Sequence, residues 1–214
     1  MARGSARTFV ACGALAALAP LIAGCASSRP APPAPGSALL VEQCLNDLSA
    51  RGVSYGVAAI SVSTGPCAVE NPVQVTGAAV AWNQPAVMSC GLADRLDRFL
   101  VEAAEPLARR YLSTEIVRLD HLGAYSCRRI EGMAGRWSEH AAGRAIDVSG
   151  FLMKSGERVI VEKDWAAPGP KRDFLRAVAK RACDYFNVVL TPDSDKFHDN
   201  HLHLDIGRWR SCSA

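Results

Sequence analysis

The run Ser138-Glu139-His140-Ala141-Ala142-Gly143-Arg144-Ala145-Ile146-Asp147, together with His198-Asp199-Asn200-His201-Leu202-His203-Leu204-Asp205, decides how this chain is read. Residues 145–148 and 202–206 have the character of short strands. In His201-Leu202-His203 the imidazoles are two residues apart, so on a strand both leave from the same face. Four of the five histidines of the chain lie in these two segments. A zinc site that performs hydrolysis needs three protein ligands of imidazole or carboxylate type and one open position. His140, Asp147 and one histidine of the second segment supply that set. Gly143 lets the chain turn between His140 and Asp147, and the small Ala145 allows close backbone packing. His121 stands alone and is expected to be a surface or satisfied core residue, while His198 stays open between the two readings.

Working outward, residues 39–50 place Leu39, Leu40, Val41, Cys44, Leu45 and Leu48 at helical spacing with Gly52 as a stop. Residues 57–62 and 72–80 are rich in Val, Ile and Ala between Gly and Pro punctuation and read as short strands or extended loop. Residues 91–112 predict a long helix, kinked by the Pro106 inside its pattern. Strands are expected at 116–119, 145–148, 158–161, 187–190 and 202–206, and a second main helix at 174–182. Helices and strands are segregated rather than alternating, so the class is α+β, a small antiparallel sheet with flanking helices. Trp137, Trp165 and Trp209 are expected in the core or in a cleft wall.

The N-terminus sets the compartment. Arg3 and Arg7 precede an apolar stretch over 9–23 that is short for a membrane span and reads as a signal peptide. It ends Leu21-Ile22-Ala23-Gly24-Cys25, which resembles the lipobox of bacterial lipoproteins. The resemblance implies cleavage after residue 24, lipidation of Cys25 and, with Ala26 following, an outer-membrane destination on the periplasmic side of the envelope. Residues 27–37 are rich in Pro, Ala and Ser and cannot bury a core, so residues 25–38 are expected as a lipidated tether and 39–214 as one globular domain. Losing residues 1–24 removes Arg3 and Arg7 and lowers the formal charge from +3 to +1. A nearly neutral body without basic runs argues against nucleic acid as a partner, and a monomer is expected.

Cys44, Cys67, Cys90, Cys127, Cys183 and Cys212 remain in the mature body, an even set in an oxidising compartment, so three disulfides are expected. Six cysteines allow fifteen pairings. Pairing neighbours along the chain (Cys44–Cys67, Cys90–Cys127, Cys183–Cys212) closes the shortest loops, and each bridge is worth roughly 3 to 4 kcal/mol if unstrained. No Cys-x-x-Cys pair is present to suggest a cysteine-ligated zinc.

The pattern S-x-H-x-x-G-x-A-x-D followed by H-x-H resembles the zinc peptidase superfamily of D-Ala-D-Ala carboxypeptidases, lysostaphin-type endopeptidases and hedgehog domains. Within it, the chain is most similar to the extensin-like C-terminal domain family, a bacterial group whose name does not imply plant extensin function. The similarity runs from about Cys44 to Cys212. It includes Gly123-Ala124-Tyr125-Ser126-Cys127-Arg128, residues 138–147 with Gly150-Phe151, Asp164-Trp165, and residues 198–205. The resemblance implies a hedgehog-like fold, zinc on His140, Asp147 and His203, and His201 as the catalytic histidine. Arg128 is implied as the group that receives a substrate carboxylate or developing oxyanion, with Arg129 as its neighbouring alternative. Asp205 is expected to hold the outer ring nitrogen of a ligand histidine. Carboxypeptidases of this superfamily carry a glutamate three residues before the last ligand, and this chain has Asn200 there. That departure turns the expectation toward an endopeptidase acting on peptidoglycan peptides. It also leaves a rival of a different class, a non-catalytic peptidoglycan-binding or regulatory lipoprotein that retains the zinc site.

Overall fold

The computed structural model describes residues 1, 35–60, 64–133 and 135–214. The expected signal segment, Cys25 and most of the proline-rich tether lie outside them. Helix α1 spans Pro35–Ala50 and so begins inside the stretch expected as tether. Pro35 stands in its first turn, where a missing N–H leaves no helical bond unmade. Among the described residues no helix is long and apolar enough to cross a membrane.

Among the described residues nine strands follow: β1 (Ser54–Val57), β2 (Pro72–Gly77), β3 (Ala81–Ser89), β4 (Ile116–Gly123), β5 (Ala145–Met153), β6 (Arg158–Ile160), β7 (Val188–Leu190), β8 (Leu202–Asp205) and β9 (Ser211–Cys212). They form one sheet in the order β1-β2-β3-β4-β5-β8-β7-β9, with β6 added to β5. The α+β class holds, but the sheet is larger than expected and mixed, because β3–β4 and β7–β9 pair in parallel. Parallel pairing requires a crossover. Between β3 and β4 it is the long helix, α2 (Cys90–Phe99) continuing through a π turn (Leu100–Ala104) into α3 (Glu105–Leu112). The expected disturbance at Pro106 takes the form of that π turn, in which the Glu105 N–H reaches back to the Leu100 carbonyl. Strand β3 was not legible from its pattern. Pro85 interrupts it and pairs with no residue of β2, the register resuming at Ala86 opposite Val75.

A short helix α4 (Val161–Asp164) and the longer α5 (Pro170–Ala182) complete the helical layer. Phe151 of β5 meets Phe174 of α5 edge-on at 5.4 Å, and Phe99 of α2 meets Phe186 in the same way at 5.4 Å. On β5 the core-facing residues are Ile146 and Val148, then Phe151 and Met153. The parity changes because Ser149 is an extra residue in the pairing with β4, where Asp120 and His121 oppose Gly150 and Val148. Leu202 and Leu204 of β8 join the same core. Asp147, His201, His203 and Asp205 therefore lie on the other face of these two strands.

Among the described residues three disulfides are present, but only Cys183–Cys212 was paired as expected. The other two are Cys44–Cys90 and Cys67–Cys127, with Cα atoms 6.3 and 5.3 Å apart. The shortest-loop argument weighs loop closure alone, whereas sheet order decides which cysteines meet. Cys90 opens α2, against which α1 packs. Cys127 lies in the loop after β4, which meets the 3-10 turn Gly65–Cys67 between β1 and β2 through the Tyr125 hydroxyl on the Cys67 carbonyl. Both bridges close longer loops than expected, worth about 4 kcal/mol each by chain entropy.

Candidate metal centre

His140 belongs to a tight 3-10 turn, Glu139–Ala142, opened by Ser138, whose hydroxyl accepts the His140 backbone N–H at 3.2 Å. Gly143 closes the turn at φ 62°, and a Cβ there would come within 2.7 Å of Val69 and 3.1 Å of the Ser89 nitrogen. Conformation and space both require glycine at this point. The turn delivers the chain into β5, where Asp147 stands directly across from His203 of β8. On the opposite edge of β5, Gly123 of β4 is in register with Asp147, so the Ala124 carbonyl that follows comes to lie beside the His140 ring.

The three side chains converge. His140 Nε2 is 3.1 Å from Asp147 Oδ1 and 3.2 Å from His203 Nδ1, and His203 Nδ1 is 3.0 Å from the same oxygen. Among the described residues they form the single group of this kind able to share a metal ion. Each outer nitrogen is committed elsewhere. His140 Nδ1–H donates to the Ala124 carbonyl at 2.5 Å and His203 Nε2–H donates to Asp205 at 3.2 Å, while Asp205 also accepts the Gly207 N–H at 2.8 Å. Those partners leave His140 Nε2 and His203 Nδ1 as lone pairs facing inward. An ion about 2.0 to 2.1 Å from each of three tetrahedral ligands sets them ~3.3 Å apart. The observed triangle and its donor set, two imidazoles and a carboxylate, therefore fit zinc.

His201 lies alongside. Its Nε2 is 3.3 Å from Asp147 Oδ1, and its Nδ1–H donates to Asn200 Oδ1 at 2.7 Å. Asn200, which drew notice as a missing glutamate, thus fixes the inward lone pair of its neighbour. His198, left open by the sequence, has its ring 5.1 Å from that of His201 and 5.7 Å from that of His203, and it pairs with Asp195 at 2.8 Å. Position 198 precedes β8, so strand periodicity gives no sign of it; the clustering of four histidines was the available signal. His121 is buried in the sheet, with its Nε2–H donating to the Gln84 carbonyl at 3.0 Å, and takes no part in the centre. Arg128 is exposed on the loop between Ala124 and Ser138, and Arg129 lies over the Trp137 ring at 4.6 Å. Trp165 is buried as expected, whereas Trp137 and Trp209 are 38% and 55% exposed and lie outside the core.

Burial alone would raise the Asp147 pKa, but its contacts with the three imidazoles of His140, His201 and His203 outweigh it and hold the carboxyl far below the usual range. Burial would lower the His203 pKa, but its bonds to Asp147 and Asp205 push it up to about 9. Inward lone pairs around a carboxylate repel one another unless a positive charge sits among them. Without metal, that charge is a proton on His203.

The model of the family described as Extensin-like protein C-terminus matches residues 42–213. The chain belongs to this family. The match begins within α1 and runs through β9, and it takes in all three disulfides and every residue of the centre. Comparison with curated proteins and with solved structures gives no match.

Proposed function

We propose that this extensin-like domain is a zinc-dependent peptidoglycan peptidase, an endopeptidase of the zinc peptidase superfamily, held by lipid on Cys25 at the periplasmic side of the outer membrane. The observation that carries the reading is the triangle of His140 Nε2, Asp147 Oδ1 and His203 Nδ1, 3.0 to 3.2 Å on a side, with His201 Nε2 beside it. His140, Asp147 and His203 would hold the ion. Zinc, when bound, supplies Lewis acidity that polarises a carbonyl and makes water nucleophilic near neutral pH.

The remaining steps belong to side chains. His201 Nε2 takes the proton of the attacking water and returns it to the leaving amine, and Asn200 keeps the ring in the tautomer that can do so. Asp205 and the Ala124 carbonyl stop the two ligand rings from turning. The exposed Arg128 fork receives a carboxylate or the developing oxyanion of the substrate. The bond of Asn200 to His201 favours turnover over the non-catalytic rival, because it gives the substituted position a part in proton transfer.

Digestion of crosslinked muropeptides with the zinc-loaded chain, read by intact mass, tests the reading. Conversion of crosslinked dimers to monomers is expected. Dimers that bind and stay intact would reduce the domain to a binding module.

A further inference from the structure

Beside the metal centre the described residues carry a concentration of exposed positive charge that the fold does not use. Residues 126–133 and 135–138 form the two arms of a hairpin in which Arg129 bridges to Trp137, the Ile130 N–H donates to the Arg136 carbonyl at 2.9 Å and the Ser138 N–H donates to that of Arg128 at 3.2 Å. The hairpin leaves from Ala124, whose carbonyl holds His140, and runs directly into the turn that carries His140. The chain beyond β8 returns to the same place. Gly207 lies so close to Glu139 that a Cβ would come within 2.4 Å of its carboxyl carbon, and the Arg136 guanidinium rests 5.2 Å over the Trp209 ring. Arg208 lies 5.1 Å over that ring as well.

Arg128, Arg129, Arg136, Arg208 and Arg210 are all exposed, and among the described residues none is in an ion pair. Elsewhere among the described residues most arginines are in ion pairs, as Arg118 and Arg158 are with Asp120 and Arg144 is with Glu139. The exceptions are Arg95, which donates to the Tyr185 carbonyl, and Arg110, which lies over the Tyr111 ring. Glu131 is the lone acid of the hairpin, and residues 206–214 contain none. An indole under a guanidinium holds it flat without using its in-plane N–H donors. The Arg129–Trp137 and Arg136–Trp209–Arg208 stacks therefore present forks that are oriented and unspent, the geometry that takes carboxylates two bonds at a time.

We propose that these two stacks form a docking ledge for an acidic peptide segment of the substrate, gripping carboxylates that flank the scissile bond. The assignment to a substrate rests on the peptidase reading above, but binding at the ledge requires no metal. Charge complementarity selects the occupant, and the position of the ledge at the His140 corner delivers a bound chain to the centre. The ledge sets which peptides are cut, through KM and association rate more than through the chemical step.

The test is fluorescence anisotropy of the full chain with a labelled oligoglutamate peptide, a matched oligoglutamine and a single-stranded oligonucleotide of equal charge. Oligoglutamate is expected to bind about tenfold or more tightly than oligoglutamine, the preference fading as salt rises. R136Q/R208Q should remove about tenfold of that affinity, W209A a smaller part, and R98Q/R181Q, on a helical face away from the ledge, none. H203A should bind as the parent does although it cannot cleave, which separates the ledge from the chemistry. A parent chain that binds the peptide and leaves crosslinked muropeptides intact would count against the peptidase reading alone. Equal binding of the two peptides, parent-like affinity of R136Q/R208Q, or a preference for the oligonucleotide would overturn the ledge.

Discussion

Two buried carboxylates stand on neighbouring strands of one sheet and have been neutralised in opposite ways. Asp120 of β4, 5% exposed, accepts from Arg118 at 2.6 Å and from Arg158 at 2.9 Å. Burial would raise its pKa, and the two guanidinium bonds more than reverse that. Asp147 of β5, 9% exposed, is ringed by His140, His201 and His203. Arginine keeps its charge at every accessible pH, so the Asp120 cluster is closed: it needs nothing further and can release nothing. Histidine carries charge only conditionally, so the Asp147 cluster stays one positive charge short until a proton or a cation supplies it. The same acid in the same sheet is thus structural in one place and a candidate metal centre in the other. What differs is whether its partners can give up their protons.

The largest effect should come from removing a corner of the triangle. H203A is expected to lose zinc and hydrolysis together, since one of three protein ligands disappears, and metal content with muropeptide turnover checks both. H201A should separate them, retaining most of the zinc while turnover falls by roughly 10²-fold or more. A metal-free H201A chain would make His201 a ligand, and normal turnover would remove it from the mechanism. On the other side of the comparison, D120N should leave zinc and turnover near the parent's while lowering stability by about 2 kcal/mol, less than a fully buried pair because both arginines are partly solvated. Denaturant unfolding beside a metal assay checks it.

A smaller effect separates the clusters by pH. In metal-free protein His203 titrates at about 9 against an ordinary value of 6.5. A raised folded-state pKa means that its stabilisation is present in full below about 6.5 and is lost as pH rises through about 9. The metal-free chain should therefore melt about 5 °C or more lower at the alkaline end of that window. Zinc-loaded protein should lose less there, because the ion replaces the proton, and the Asp120 cluster should not respond. Melting curves of both forms across the window give the comparison.

The sequence reached the centre more easily than the architecture around it. His140 and Asp147 were legible because an imidazole and a carboxylate stand seven residues apart around a glycine. Strand alternation put His201 and His203 on one face, but the choice of His203 over His201 as a ligand came from the family resemblance and not from spacing. The second main helix and the long 91–112 helix were legible from apolar periodicity. Strand β3 was not, because Pro85 breaks its pattern and its parallel pairing with β4 depends on a distant crossover. The Cys44–Cys90 and Cys67–Cys127 bridges were missed for a related reason: strand order, which chain distance does not encode, sets who meets. The Ala124 carbonyl and the Asn200 amide were invisible as partners of histidines, since a backbone oxygen has no sequence signature and an asparagine has many uses.

The most direct measurement is the zinc content of the full chain after exhaustive dialysis against metal-free buffer, by plasma mass spectrometry, with readdition of stoichiometric zinc. A closed cluster like that of Asp120 would take up nothing, whereas the open triangle predicts about one tightly held zinc per chain. A folded chain that carries no zinc and takes up none on readdition would contradict the account, leaving Asp147 and its histidines as a buried ion pair.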